Sequence, residues 1–181
     1  MTTEGLYTND EYRLSSLQDK ALLLLPIPSA MLSIIGSSTI IFMIFRIRQQ
    51  QKLSPYTRLL LGLSVSDIVC SLSVSIGGFM RPQDSPRVYA LGNDTTCSVS
   101  GFFTQVSYGA LLYNAMLSFY FLLTARFGWS NKDLSKWLEP LMHVFSIGYP
   151  LVTATAGLIL DVYSETALGL RWVYENLVSC W

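Results

Sequence analysis

Residues 59–80 read LLLGLSVSDIVCSLSVSIGGFM, and this stretch decides the fold class of the chain. It carries a single charged residue, Asp67. A helix that crosses the ~30 Å hydrocarbon core of a bilayer needs roughly 20 apolar residues, and the stretch meets that length. Because backbone groups cannot stay unpaired in lipid, so long an apolar run must be helical. The stretch therefore predicts a transmembrane helix.

Three further windows have the same character. The whole chain is 51% hydrophobic and 13% charged, with a mean hydropathy of +0.40, whereas soluble domains carry about 25% charged residues. Too little polar sequence is left to cover four such helices in a soluble fold. Glycine and serine recur in the windows, as expected where membrane helices pack closely. The sequence predicts an all-α bundle of four transmembrane spans, at 24–45, 59–80, 101–125 and 138–160.

Charge composition and motifs exclude several functions. The 12 basic and 12 acidic residues cancel, so no overall field favours nucleic acid as a partner. The sequence shows no phosphate-binding glycine loop, catalytic triad or zinc-type cysteine spacing. We therefore expect no enzymatic activity and no cofactor, with membrane lipid as the surrounding partner.

Loop charges predict the orientation. The N-terminal tail has four acidic and two basic residues. The first and third loops, by contrast, are rich in basic residues. Because basic loops stay in the cytoplasm, we expect these two loops inside and both termini outside, at the plasma membrane. The domains expected are an extracellular tail (1–23), the bundle (24–160) and an extracellular loop segment (161–181). The basic residues of the two inner loops are Arg46, Arg48, Lys52 and Arg58, and Arg126, Lys132 and Lys136.

Two features of the outer loops agree with this orientation. Asn93-Asp94-Thr95 is a glycosylation sequon in the second loop. Cys97 and Cys180 both fall on the outer side, where the oxidising environment allows them to pair. Cys70 lies within the second span and is expected to remain a free thiol.

Asp67 is the sharpest candidate for a functional residue. It lies roughly 13 Å along the span at about 1.5 Å per residue, where a carboxylate costs several kcal/mol unless it finds polar partners inside the bundle. Ser64, Ser71 and Ser38 are the expected neighbours. One interpretation is a polar network that holds a cation or water and switches with conformation. The other is a hydrogen-bonded carboxylic acid that only fixes helix packing.

Other polar residues near the span ends have two interpretations each. Gln105 and Tyr108 share a face near the outer end, where they line either a ligand cavity or an interhelical packing surface. Arg126, at the inner end, either contacts a cytoplasmic partner or neighbouring helix, or extends to the lipid headgroups. Glu139 and His143 stand four residues apart, so they can pair across one helical turn and stabilise the inner end of that helix. No metal site is expected.

The order of these motifs resembles the N-terminal part of seven-helix G-protein-coupled receptors. The segment Leu63-Ser64-Val65-Ser66-Asp67 resembles their second-helix Leu-Ala-x-x-Asp signature. Cys97 matches the cysteine that begins their third helix. Cys180-Trp181 resembles the Cys-Trp pair in the second outer loop of the secretin-like and cyclic-AMP-receptor-like branches. Residues 54–67, SPYTRLLLGLSVSD, are most similar to the cyclic-AMP-receptor-like group.

The resemblance implies specific roles. It makes Cys97–Cys180 a disulfide and places Asp67, with Ser64 and Ser38, in a polar activation network. It implies an extracellular ligand, and a heterotrimeric G protein as partner of the complete receptor. The Asp-Arg-Tyr triplet of rhodopsin-like receptors is absent, and Arg126 lies about one turn beyond its place. The chain ends just after the loop cysteine, so the expected fold is a bundle truncated from seven helices, as an incomplete gene model or as a truncated form that pairs with another subunit.

The alternative is a four-helix membrane organiser or a small transporter subunit. The tetraspanin pattern requires a Cys-Cys-Gly in a large outer loop, which the sequence lacks. The claudin pattern requires a tryptophan and paired cysteines between the first two spans, where this chain has a short basic loop. Both families keep their termini in the cytoplasm, opposite to the orientation predicted here.

Overall fold

The computed structural model of the chain describes residues 20–21, 23–48, 54–80, 83, 89, 91–130, 132, 134–160 and 163. Five α-helices account for most of them, and no β-strand occurs in these residues. A 3₁₀ turn, Gly78–Met80, extends the second helix, and a π-helical turn, Leu134–Leu138, leads directly into the fifth. The helices are α1 (Pro26–Arg48), α2 (Pro55–Gly77), α3 (Asp94–Ser107), α4 (Gly109–Phe127) and α5 (Glu139–Ile159).

The five helices form four spans, which confirms the predicted all-α transmembrane bundle. The helices α3 and α4 make up one span, since they are separated only at Tyr108. The spans long and apolar enough to cross a membrane are Pro26–Arg46, Pro55–Met80, Asp94–Phe127 and Leu134–Ile159. They run up and down in turn, so that the first and third connections lie at one end, here called the basic end, and the second lies at the opposite end.

The distribution of side chains is the reverse of that in a soluble protein. Large apolar side chains such as Leu32 and Ile159 are 72% and 78% exposed, whereas Ser146 is 0% exposed. A soluble fold would hide the former and expose the latter. Lipid solvates the apolar surface, and small polar side chains such as Ser146 pack inside the bundle. The chain is therefore a membrane-embedded protein.

The second and third spans begin earlier than hydropathy predicts, because polar caps extend both helices. Ser54 caps α2 through a 3.3 Å bond from the amide of Thr57, and Pro55 occupies the first turn, where its missing N–H is not needed. At α3, Asn93 and Thr96 form a capping box. The amide of Thr96 donates to Oδ1 of Asn93 at 2.8 Å, and the amide of Asn93 donates to Oγ1 of Thr96 at 2.7 Å. A hydropathy window finds the apolar part of a span and misses such caps.

The Asn93 cap gives a first prediction. Asn93→Ala should lower the free energy of unfolding by about 1 kcal/mol, the usual value for a lost N-cap, whereas Asn93→Asp should preserve stability. Both changes destroy the sequon, and Thr95→Ala destroys it while leaving both box residues in place. SDS unfolding in mixed micelles measures the difference. Equal destabilisation by Asn93→Asp and Asn93→Ala would show that the cap contributes nothing.

Candidate functional site

Asp67 lies midway along α2 and is hydrogen-bonded to the first span. The hydroxyls of Ser33 and Ser37 both donate to its Oδ2, each at 2.6 Å. The two serines are four residues apart on α1 and therefore share one face of that helix. Both hydroxyls meet the same carboxyl oxygen, so the two bonds join α1 to one point of α2. This cluster, Asp67 with Ser33 and Ser37, is called the carboxylate cluster below.

The serine partners of Asp67 differ from those expected. Ser38 follows Ser37 by one residue, which is about 100° around the helix, and it is exposed on the outside of the bundle. Ser64 is buried, but its hydroxyl donates to the carbonyl oxygen of Leu60, 2.9 Å away in its own helix. The hydrogen bonds of Asp67 thus come from Ser33 and Ser37 and not from Ser64 or Ser38, and the activation network of Asp67, Ser64 and Ser38 stays a prediction. Predicting the partners requires the rotation of α1 about its axis, which the sequence does not reveal because serine and threonine lie on more than one face of that helix.

A second polar cluster joins α2 to the fourth span at the basic end. Nη2 of Arg58 donates to Oε2 of Glu139 and to Oγ of Ser135, each at 2.8 Å. Nε of Arg58 lies 2.5 Å from Oε1 of Glu139, an ion-pair contact without hydrogen-bond geometry. The Glu139 side chain is 7% exposed and that of Arg58 41%. The pair, with Ser135, is called the inner ion pair.

The inner ion pair continues towards the centre of the bundle. His143 Nε2 lies 3.9 Å from Oε1 of Glu139, so the predicted contact across one turn is present but long. The stronger contact of His143 is with α4, through a 2.9 Å hydrogen bond between its Nδ1 and the Oη of Tyr113. Tyr113 is 2% exposed and packs over Gly62 of α2. Polar contacts therefore link α2, α4 and α5 in one connected set.

Sequence reasoning missed Arg58 as the partner of Glu139. It treated Arg58 as one of several loop cations, and paired Glu139 with the nearest titratable side chain along its own helix. A usable signal was nevertheless present. An acid at the start of a span, on the side where the loops are basic, has to be neutralised, and the cations of the neighbouring loop lie at the same depth.

Gln105 and Tyr108 lie at a helix contact and at a helix boundary, and the ligand cavity proposed for them stays a prediction. Gln105 Nε2 donates to Oγ1 of Thr153 on α5, 3.0 Å away, which corresponds to the interhelical-packing interpretation. Tyr108 is the residue at which α3 ends and α4 begins. Gly109 follows it, and a Cβ there would lie 3.2 Å from the carbonyl oxygen of Ser146, so α4 and α5 approach closely at this break. Neither side chain lines the recess at Trp129 and Lys136 or the one between Leu151 and Ile159.

Arg126 lies in the last turn of α4 and is exposed at the basic end. None of the described carboxylates pairs with it. Its position is compatible with both interpretations offered from the sequence, contact with a partner and extension to headgroups.

At the opposite end, Tyr163 fills a crevice between α3 and α5. A Cβ at Gly101 or Gly157 would lie 2.5 Å or 2.6 Å from the Tyr163 ring. Burial raises the pKa of the Tyr163 hydroxyl, so it keeps its proton and donates to the carbonyl oxygen of Ala154, 3.2 Å away. Cys97 is 1% exposed, with its Sγ 3.3 Å from the carbonyl oxygen of Tyr163. Cys180 lies outside the described residues, so the Cys97–Cys180 pairing stays a prediction.

The geometry defines a four-span, all-α membrane protein with two polar clusters between its helices. No protein-family model, curated protein or solved structure matches the chain.

Proposed function

We propose that the chain is part of a seven-helix G-protein-coupled receptor, which senses an extracellular ligand and signals across the membrane. The observation that carries this proposal is the carboxylate cluster. Asp67 occupies the position of the second-helix aspartate in the receptor-like motif, and it is bonded to a different span. A carboxylate inside the membrane costs free energy and commonly marks a functional site, so the presence of Asp67 with its two donors supports a functional role.

The inner ion pair supports the same proposal. A signal that passes through a membrane requires helices that take up two arrangements. Arg58 and Glu139 hold α2 and the fourth span together through a side-chain contact that can open without breaking a helix. With the first and third loops in the cytoplasm, the pair would lie on the side of the G protein. Arg126, exposed on the same side, is available to that partner.

The proposal includes an orientation and two modifications. The N-terminus is extracellular, at the plasma membrane. Cys97 and Cys180 form a disulfide, and Asn93 carries a glycan. The cap at α3 uses the Oδ1 of Asn93 and not Nδ2, the atom that would be glycosylated, and Asn93 is exposed at the helix end. Peptide mapping without reducing agent should recover Cys97 joined to Cys180.

Sequencing the natural transcript beyond the Trp181 codon tests the proposed class of protein. A receptor of this class requires three more apolar spans in the same reading frame, each with roughly 20 residues. A stop codon directly after Trp181, together with a stable product of that length in membranes, would contradict the receptor and favour the four-helix organiser or transporter subunit.

Asp67→Asn separates the two roles proposed for the carboxylate. The amide oxygen still accepts hydrogen bonds from Ser33 and Ser37, so stability should change by less than about 1 kcal/mol. If the carboxylate belongs to an activation network, basal guanine-nucleotide exchange on G protein should nevertheless shift several-fold in membranes that contain the complete receptor. The control Ser38→Ala alters a nearby hydroxyl that does not contact Asp67. Unchanged exchange with a marked loss of stability would assign Asp67 to packing alone.

A further inference from the structure

A recess of about 700 Å³ opens at the basic end, on the surface of the fourth span that faces away from the bundle. Its lining combines two indole rings, one ammonium group and an apolar floor. The lining residues are Trp129, Lys136, Trp137, Leu138 and Leu141.

Two local backbone features build the walls of the recess. Gly128 ends α4 with a φ of 65°, a left-handed conformation that glycine adopts without strain, and the amide of Trp129 then bonds to the carbonyl oxygen of Leu123 at 3.2 Å. This closure directs the chain, with Trp129, towards the fourth span. On the other side, the π-helical turn Leu134–Leu138 contains Lys136 and Trp137. Single π-helical turns are rare and occur frequently at functional sites.

The π-helical turn separates a buried side from an exposed one. Leu134 is 1% exposed and belongs to the apolar core, which holds the turn in place. Trp137 is 77% exposed, and the ammonium of Lys136 lies 5.7 Å from the centre of its ring. None of the described carboxylates pairs with Lys136, because Glu139 faces inward to Arg58. Within the part of the chain that the structure describes, the Trp137 ring is the contact of this ammonium, and its hydrogen-bond donors can serve a ligand.

The position of the recess identifies the kind of ligand. Tryptophan concentrates at the boundary between headgroups and hydrocarbon. Leu138 and Leu141 continue the wall along the span, and Leu141 is 61% exposed towards the lipid. Two more cations, Arg126 and Lys132, are exposed at the same end. A ligand that suits this arrangement has an anionic head at Lys136 and a hydrocarbon chain against the leucines.

We propose that the recess formed by Trp129, Lys136, Trp137, Leu138 and Leu141 binds one anionic phospholipid of the membrane leaflet at the basic end. The phosphate accepts from the Lys136 ammonium. The two indoles flank the glycerol region, and an acyl chain lies along Leu138 and Leu141. Such a lipid would hold the third loop against the membrane and fix the start of the fourth span. The inference does not depend on the receptor proposal, since it uses only the fold and the charges of this end.

Native mass spectrometry of the purified full chain, with added phosphatidylglycerol or phosphatidylcholine of identical acyl chains, tests the site. Phosphatidylglycerol should be retained in preference, with one molecule bound most tightly. Lys136→Gln should weaken this retention about five-fold, since one cation near an anionic surface contributes about 1 kcal/mol. The matched control Lys52→Gln removes the same charge from the other basic loop and should leave retention unchanged.

A second readout does not depend on changing the charge of Lys136. In nanodiscs, phosphatidylglycerol with brominated acyl chains should quench tryptophan fluorescence more than brominated phosphatidylcholine, and Trp137→Leu should reduce that difference. Equal retention of both lipids, or equal effects of Lys136→Gln and Lys52→Gln, would overturn the proposal in favour of general attraction to the surface. Displacement of the bound lipid by inorganic phosphate would overturn it in favour of a soluble anion.

Discussion

Arg58→Met is expected to lower the free energy of unfolding by about 3 kcal/mol, because it leaves Glu139 buried without a counter-charge. Removing one partner of a buried ion pair typically costs about 3–5 kcal/mol, and the lower end applies here since the Arg58 side chain is partly exposed. Ser135 loses its donor as well. The midpoint of SDS unfolding in mixed micelles measures the loss.

Three further variants make this experiment specific. Arg58→Lys keeps the positive charge but loses the planar guanidinium group that donates to both Glu139 and Ser135, so it should retain part of the stability. Glu139→Leu in the Arg58→Met background should recover most of the loss, because neither side chain is then charged. Arg126→Met removes an exposed arginine at the same end and should change stability little. If Arg126→Met and Arg58→Met were equally destabilising, the inner ion pair would have no special role.

Gly62→Ala is expected to destabilise the bundle by about 1–3 kcal/mol, the usual range for overpacking a well-filled interior. The added Cβ would lie 2.6 Å from the Cε1 and Cζ atoms of Tyr113. The ring is fully enclosed and hydrogen-bonded to His143, so it cannot move aside without breaking that bond. The damage should therefore reach α5 as well as the contact between α2 and α4.

Gly36→Ala is the matched control for Gly62→Ala. A Cβ at Gly36 would meet nothing within 4 Å, and alanine has the better helix propensity by about 1 kcal/mol. This change should be neutral or slightly stabilising. Tyr113→Leu should relieve part of the strain when it is combined with Gly62→Ala. Similar destabilisation by Gly36→Ala and Gly62→Ala would contradict the close packing of Tyr113 on α2.

Hydropathy was sufficient to predict the four spans, because a bilayer imposes one length and one composition on every helix that crosses it. Hydropathy also identified Asp67 as a candidate functional residue, because a single carboxylate in an apolar span needs polar partners inside the bundle. Span ends were less predictable. The third span begins at Asp94, seven residues before the predicted start, because the capping box carries the helix into polar sequence.

The partners of the polar residues could not be predicted from local spacing. Glu139 is four residues from His143 but bonds to Arg58, 81 positions away. Asp67 bonds to Ser33 and Ser37, and not to a serine of its own helix. Which faces of two apolar helices meet depends on how their small residues fit together, as at Gly62 and Gly109. That fit is a property of the assembled bundle.

The bundle has four spans long and apolar enough to cross a membrane, and we propose that its first and third loops lie on the cytoplasmic side. The most direct test is to insert a site for a sequence-specific protease into one connection at a time: the tail before Lys20, and the loops at Lys52, Gln83 and Ser130. Protease is then added to intact or permeabilised cells. We expect cleavage on intact cells at the tail and Gln83 sites alone, and cleavage at Lys52 and Ser130 only after permeabilisation. Cleavage at Lys52 or Ser130 on intact cells would contradict it.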